Sequence, residues 1–204
     1  MEDLPANLVR RADESDDALF YGTPRLVTHI DDATIAALTD FYRETIPAES
    51  RLLDMMSSWV SHLPPEGDYT SVSGLGMNAQ ELENNPRLDA RIVHDLNANP
   101  ELPYADESFD FVLNAVSVQY LTQPIRVFQS VARVLRPGGY SLVAISHRLF
   151  PTKAIYAWQT IPPAERPGLV EAYFQRAGSF DSVETIDRSP AHADPLWVVR
   201  ARKS

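Results

Sequence analysis

The C-terminal end of the chain constrains its topology most. Two strand-like runs, FDSVETI at 180–186 and LWVVRARK at 196–203, are separated by little more than the HADP turn region at 192–195. That gap is too short for a crossover helix, so the two runs are expected to pair antiparallel at the edge of a sheet. Upstream the pattern alternates. Apolar runs fall at 51–56 (RLLDMM), 69–76 (YTSVSGLG), 90–96 (ARIVHDL), 109–118 (FDFVLNAVSV) and 140–146 (YSLVAIS). Helical periodicities stand among them: Ile35, Leu38, Phe41 and Tyr42 behind an Asp31 or Asp32 cap and closed by Pro47, a short helix starting at Asn78 and Glu81, and Ile125, Phe128, Val131 and Leu135 behind Pro124. A further helical region covers about 152–177, is broken by Pro162, Pro163 and Pro167, and stops at Gly178. The fold class predicted is α/β: a doubly wound, seven-stranded sheet, the first six strands parallel and the last antiparallel.

With 204 residues the chain is expected to form a single domain, with 1–30 as an N-terminal lid or tail and 31–204 as the core. It contains no cysteine, which excludes disulfides, thiolate metal sites and a cysteine nucleophile. No metal site is expected. A formal charge of -10 opposes nucleic acid, whose binding draws most of its affinity from phosphate neutralisation. No apolar run approaches the roughly 20 residues that span a bilayer, and the polar N-terminus lacks the order of a signal peptide. The expected setting is cytoplasmic, with a small molecule as partner and no membrane; the oligomeric state is not legible.

The run LPYADESFDFVLNAVSVQYLTQPIRVFQSVARVLRPGGYSLVAIS at 102–146 holds an acidic loop, a Phe-Asp strand, and a helix ending in Arg-Pro-Gly-Gly before the next strand. With the hairpin ending, this order resembles the class I S-adenosylmethionine-dependent methyltransferases, particularly the broad small-molecule group called type 11, over residues from about 50 to 203. The resemblance implies S-adenosylmethionine as cofactor, held by Asp54, Ser57, Ser58, Gly76, Met77, Asp95, Leu96 and Asn114. Asp54 matches the acidic residue that ends the first strand in that family, and Asp95 the aspartate near the adenine amine. Two positions depart. The Gly-x-Gly turn is replaced by Met55-Met56-Ser57-Ser58-Trp59, where a serine at a helix start is expected to donate to the cofactor carboxylate. The carboxylate expected on the ribose hydroxyls falls on Gly76. GLGMNAQEL, read alone, also imitates a dinucleotide fingerprint, but its helix is too short.

Ligands of open α/β sheets lie outside the carboxyl ends of the strands. His62, Gln119, Tyr120, His147 and Arg148 are the groups with usable chemistry near those ends. His147 is the expected base and Tyr120 a second catalytic candidate, because imidazole titrates nearest neutrality. Tyr21, Arg25, His29, Trp59, Gln119 and Lys153 are expected on the substrate or lid side, with Arg25 as a carboxylate clamp and Trp158 beside Lys153 in the substrate wall. The function expected is methyl transfer to an unidentified small molecule. The alternatives are a protein of this fold that has lost turnover and serves as a binding or regulatory module, and an enzyme using another adenosyl or nucleoside ligand.

Overall fold

The computed structural model describes residues 4–204. Two short helices, α1 (Ala6–Val9) and α2 (Asp17–Tyr21), precede the longer α3 (Asp32–Thr45). Then follow β1 (Arg51–Met55), β2 (Ser71–Gly76), α4 (Ala79–Glu83), β3 (Ala90–Val93) and β4 (Phe109–Ala115). The chain continues through α5 (Pro124–Val134), β5 (Leu135–Ile145), α6 (Tyr156–Thr160), α7 (Arg166–Ala177), β6 (Phe180–Asp187) and β7 (Trp197–Lys203). The described strands form one seven-stranded sheet in the order β3-β2-β1-β4-β5-β7-β6. β1 to β5 pair in parallel, while β7 is antiparallel to both β5 and β6. The strand directions agree with the sequence pattern. The hairpin stands at the sheet edge as expected, with β7 beside β5 and β6 outermost.

Both faces of the sheet are covered, which is why the central strands are apolar on successive residues. Leu53, Val112 and Val143 pack with Phe128 of α5 and Phe174 of α7 on one face. Leu52, Val72 and Leu142 pack with Leu38, Phe41 and Tyr42 of α3 on the other. Asp31 caps α3 by accepting from Thr34 N at 2.9 Å, as its sequence position implied. Pro124 opens α5 at a position that needs no N–H donor.

Four local expectations are corrected. The helix α5 stops at Val134, and Arg136-Pro137-Gly138-Gly139 forms the start of β5, with Gly138 at φ 77°. The register between β4 and β5 shifts there, between Phe109 and Phe111. β3 ends at Val93, short of His94-Asp95-Leu96, and β4 ends at Ala115. Pro167 lies in the first turn of α7 and opens that helix; Gly178 ends it at φ 71°. Finally, no helix joins β1 to β2. Residues 56–70 are irregular because the serine hydroxyls bond to side chains, not to helical N–H groups, and Pro64-Pro65 follows.

Candidate functional site: an acidic cavity at the strand ends

A cavity of about 400 Å³ lies outside the carboxyl ends of β1 to β4, within the size range of small-molecule sites. Its walls come from the 56–62 loop, the ends of β2 and β4, the segment after β3, residues 148–150 and the N-terminal segment 17–29.

Asp54, at the end of β1, organises the first wall. Its Oδ2 accepts from Ser57 Oγ and from Ser61 Oγ, both at 2.6 Å, and it is 4% exposed. Burial pushes its carboxyl up to about 6, against the opposing effect of the two hydroxyls. Met56, at φ 58°, takes the left-handed turn that a glycine would otherwise make. The chain then folds back over β2: Ser57 N donates to Leu75 O at 2.8 Å, and Ser57 O lies where a side chain at 76 would begin. A Cβ at Gly76 would stand 2.2 Å from that oxygen. The absent carboxylate at 76 therefore has a steric cause: the serine loop occupies its place. Ser58 Oγ donates to Glu81 Oε2 at 2.6 Å, so neither serine caps a helix, contrary to the sequence expectation.

The N-terminal segment is fastened at several points. Glu81 Oε1 accepts from Arg25 N at 2.7 Å, and Asn78 Nδ2 donates to Tyr21 O at 2.9 Å. Trp59 Nε1 donates to Val27 O at 3.0 Å. Asp17, 5% exposed, accepts from Arg11 through both oxygens at 2.8 Å and from Asn97 Nδ2 at 2.8 Å. Burial alone would raise Asp17, but the donors Arg11, Asn97 and Lys153 outweigh it and hold the carboxyl below its usual range. Asn97 in turn accepts from Thr122 N at 2.8 Å, which ties the segment after β3 to the one after β4.

The candidate residues divide into two groups. Tyr21, Arg25, His29, Asp54, Ser57, Ser58, Trp59, Gly76, Met77, Asp95, Leu96 and Tyr120 all line the cavity. Asn114, Gln119, His147, Lys153 and Trp158 do not. Asn114 donates to Met55 O at 3.2 Å, across from β4 to the end of β1, and Gln119 to Val116 O at 2.8 Å within the turn after β4. His147 points its Nε2 at Asp194, 3.2 Å away, on the side chain that also holds Arg148. Lys153 is corrected most sharply. Its fully buried ammonium binds Asp13 and Asp17 at 3.1 Å and Ser15 O at 2.9 Å, so it anchors the N-terminal segment and walls no cavity. Trp158, equally buried, belongs to the core. Tyr120 lines the site, but its hydroxyl accepts from Phe150 N at 2.9 Å and burial raises it further from ionisation. Arg25 is folded onto Phe20, whose ring centre is 4.4 Å away, and donates to Phe20 O at 2.9 Å.

Sequence reasoning missed Asp17, Asn78, Glu81, Asn97 and Phe150 as wall residues. Asn78 and Glu81 were visible only as a capping-box-like helix start; Asn78 Oδ1 does accept from Glu81 N at 3.1 Å, but the Glu81 carboxylate turns to Ser58 and Arg25 and leaves the box open. The other three carried no local signal.

Four carboxylates on this wall, Asp17, Asp54, Glu81 and Asp95, face two arginines, Arg25 and Arg148. The balance suits a cation. Tyr21 Oη, His62 Nδ1 and Ser117 Oγ, all on lining residues, are buried without partners. These atoms are available to a ligand or to ordered water in the cavity. Asp95 Oδ1 accepts from Asn97 N at 2.8 Å, while no described group donates to Oδ2. The residues present thus fit a cationic adenosyl ligand at three sides, and differ from the family pattern where Ser57 covers Gly76.

Residues 66–143 match the family described as "Methyltransferase domain". Over 74 residues, 33% of this chain and 27% of the relative, the sequence is 36% identical to 27-O-demethylrifamycin SV methyltransferase of Amycolatopsis mediterranei. The chain spans under a third of the length of the curated relatives it matches at this level. Two solved structures share the fold. The [4+2]-cyclase SpnF superposes with a TM-score of 0.64 at 18% identity, over 89% of each chain. An S-adenosylmethionine dependent methyltransferase from Mesorhizobium loti gives 0.57 at 18% identity, over 82% of this chain and 98% of that one. No described helix is long and apolar enough to cross a membrane. The matched segment is thus similar to a methyltransferase domain, and the sheet order, with the two superposed structures, shows the fold of the S-adenosylmethionine-dependent methyltransferases.

Proposed function

We propose that the chain transfers a methyl group from S-adenosylmethionine to a small molecule, inside the cavity at the ends of β1 to β4. The observation that carries this reading is the cavity itself: about 400 Å³, acid-lined, and walled by polar atoms that lack partners. Bound there, the cofactor supplies an electrophilic methyl group on a positively charged sulfur. Asp95 offers a free carboxylate oxygen to the adenine amine, with Leu96 and Met77 as apolar walls. Glu81 is the carboxylate we assign to the ribose hydroxyls in place of the residue missing at 76. Both its oxygens accept hydrogen bonds here, from Ser58 and Arg25, and a carboxylate serves a vicinal diol through the same two oxygens. The segment 17–29 acts as a lid that excludes water from the reacting groups. The relative that methylates 27-O-demethylrifamycin SV supports an oxygen acceptor.

The test is ligand-dependent melting. A ligand at a hundredfold excess over its Kd stabilises the folded state by about 2.7 kcal/mol. For a chain of this length that raises the melting midpoint by roughly 5–10 °C. S-adenosylmethionine and S-adenosylhomocysteine are both expected to do so, and Asp95→Ala to shrink the shift. No shift with either ligand at millimolar concentration, in a protein that melts cooperatively, refutes the proposal. The second reading, a binding module without turnover, is favoured by one observation: Ser57 O lies across the position at Gly76. A melting shift without methyl transfer to any acceptor is its signature.

A further inference from the structure

The cavity wall carries many titratable groups, and most are committed within the chain. Asp17 is bound by Arg11 and Asn97, Asp54 by two serines, and Glu81 by Ser58 and Arg25 N. His94 Nε2 lies 2.8 Å from Asn99 O. Among the described residues, only His29 and His62 bring an imidazole to this wall without a hydrogen-bond partner.

His62 is the better held. Its backbone is left-handed at φ 55°, and Thr39 Oγ1 donates to its carbonyl at 2.9 Å. Ser61, before it, is fixed by Asp54 at 2.6 Å and Asn85 at 2.9 Å; Leu63, after it, is buried in the core on the α3 side. Nδ1 is buried with no partner, and no described group bonds to Nε2. A strained backbone conformation and an orphaned buried nitrogen both cost stability. Fixing both neighbours so firmly, only to present an unpaired imidazole to a cavity, makes sense for a group that meets a ligand there. Trp59, Val60 and Val27 supply apolar surface on the same walls.

We propose that His62 accepts the proton of the methyl acceptor, and that this acceptor carries a weakly acidic hydroxyl on an apolar body. The inference rests on the methyltransferase reading above. In the step, the acceptor oxygen forms its bond to the donor methyl carbon while the carbon–sulfur bond breaks. The electron pair of that bond stays on sulfur, giving a neutral thioether. The acceptor proton passes to an imidazole nitrogen, and the imidazolium releases it to water when the lid opens.

Burial, with a smaller contribution from His29, pulls His62 down to about 4. The ring therefore stays neutral, and able to accept, throughout the neutral range. Low basicity is no obstacle, because the hydroxyl proton becomes strongly acidic as the oxygen–carbon bond forms. His147, the base expected from sequence, lies outside the cavity against Asp194.

4-Nitrophenol is a suitable probe, since its phenol and phenolate forms absorb differently. With saturating S-adenosylhomocysteine at neutral pH, the wild-type protein is expected to bind it as the phenol, hydrogen-bonded to His62. The yellow phenolate band then falls on binding. His62→Phe should weaken binding about tenfold or more, the loss of one buried hydrogen bond, and His62→Gln should recover part of it. Both variants should keep the melting shift with S-adenosylhomocysteine, showing an intact fold and donor site. Equal affinity and an equal spectral change in His62→Phe overturn the proposal. So does a wild-type protein that binds S-adenosylhomocysteine but not the probe. If S-adenosylhomocysteine itself fails to bind, the methyltransferase reading falls first and takes this one with it.

Discussion

Replacing Asp54 by asparagine isolates the energetics of the loop that builds the site. The carboxyl is buried at the end of β1 and rises from 3.8 to about 6, with burial the dominant cause. A raised acid means that the folded state binds its proton more tightly than the unfolded chain does. Its ionisation therefore penalises folding at high pH, and the penalty is relieved as pH falls through 6 toward 4. Two units at about 1.4 kcal/mol each give a penalty of about 3 kcal/mol at pH 8. The same linkage leaves about half of it at pH 5 and under about 1 kcal/mol at pH 4. Asparagine keeps an acceptor oxygen for Ser57 and Ser61 and cannot ionise. Asp54→Asn should gain up to about 3 kcal/mol at pH 8, less about 1–3 kcal/mol if its amide hydrogens find no partners. The diagnostic is the shape: the stability difference between variant and wild type is flat from pH 8 to about 6.5 and shrinks from there to pH 4. Urea unfolding of both proteins across that range measures it. A difference independent of pH, or one that grows toward acid, refutes the account of Asp54.

Gly76→Ala should lose about 1–3 kcal/mol by overpacking, because its Cβ would meet Ser57 O at 2.2 Å. Gly76→Asp should likewise disrupt the loop and not restore a ribose contact; urea unfolding and the melting shift with S-adenosylhomocysteine check both. Lys153→Met strips the buried Asp17 of one of its partners, with Arg11 and Asn97 remaining, and should cost about 1–3 kcal/mol. Proteolysis within residues 11–25 should accelerate in that variant, and an unchanged cleavage rate would show that Lys153 does not hold the segment. Glu81→Gln should weaken S-adenosylhomocysteine more than it weakens the analogue lacking the ribose 2′-hydroxyl, measured by titration calorimetry; equal losses would remove Glu81 from the ribose.

What sequence determined here is periodic or local. Successive apolar residues such as Leu52-Leu53 and Val112-Leu113 demand a strand covered on both faces, and so announce a doubly wound sheet. The gap at HADP forbids a crossover and so makes β7 antiparallel. Asp31, Pro124 and Gly178 mark helix ends through bonds to their own neighbours. Asp54 and Asp95 were legible as site residues because strand ends converge on one rim. Tertiary structure decided the rest, through contacts distant in sequence. β7 lies inside β6 because register with β5, not the turn, selects its neighbour. Gly76 is bare because Ser57, on another strand's loop, lies against it. Lys153 turned from a presumed wall residue into an anchor because Asp13 and Asp17, about 140 positions earlier, bury its charge. His62, on an irregular loop with no periodicity to read, reached the cavity only because Asp54, Thr39 and the core hold both sides of it in place.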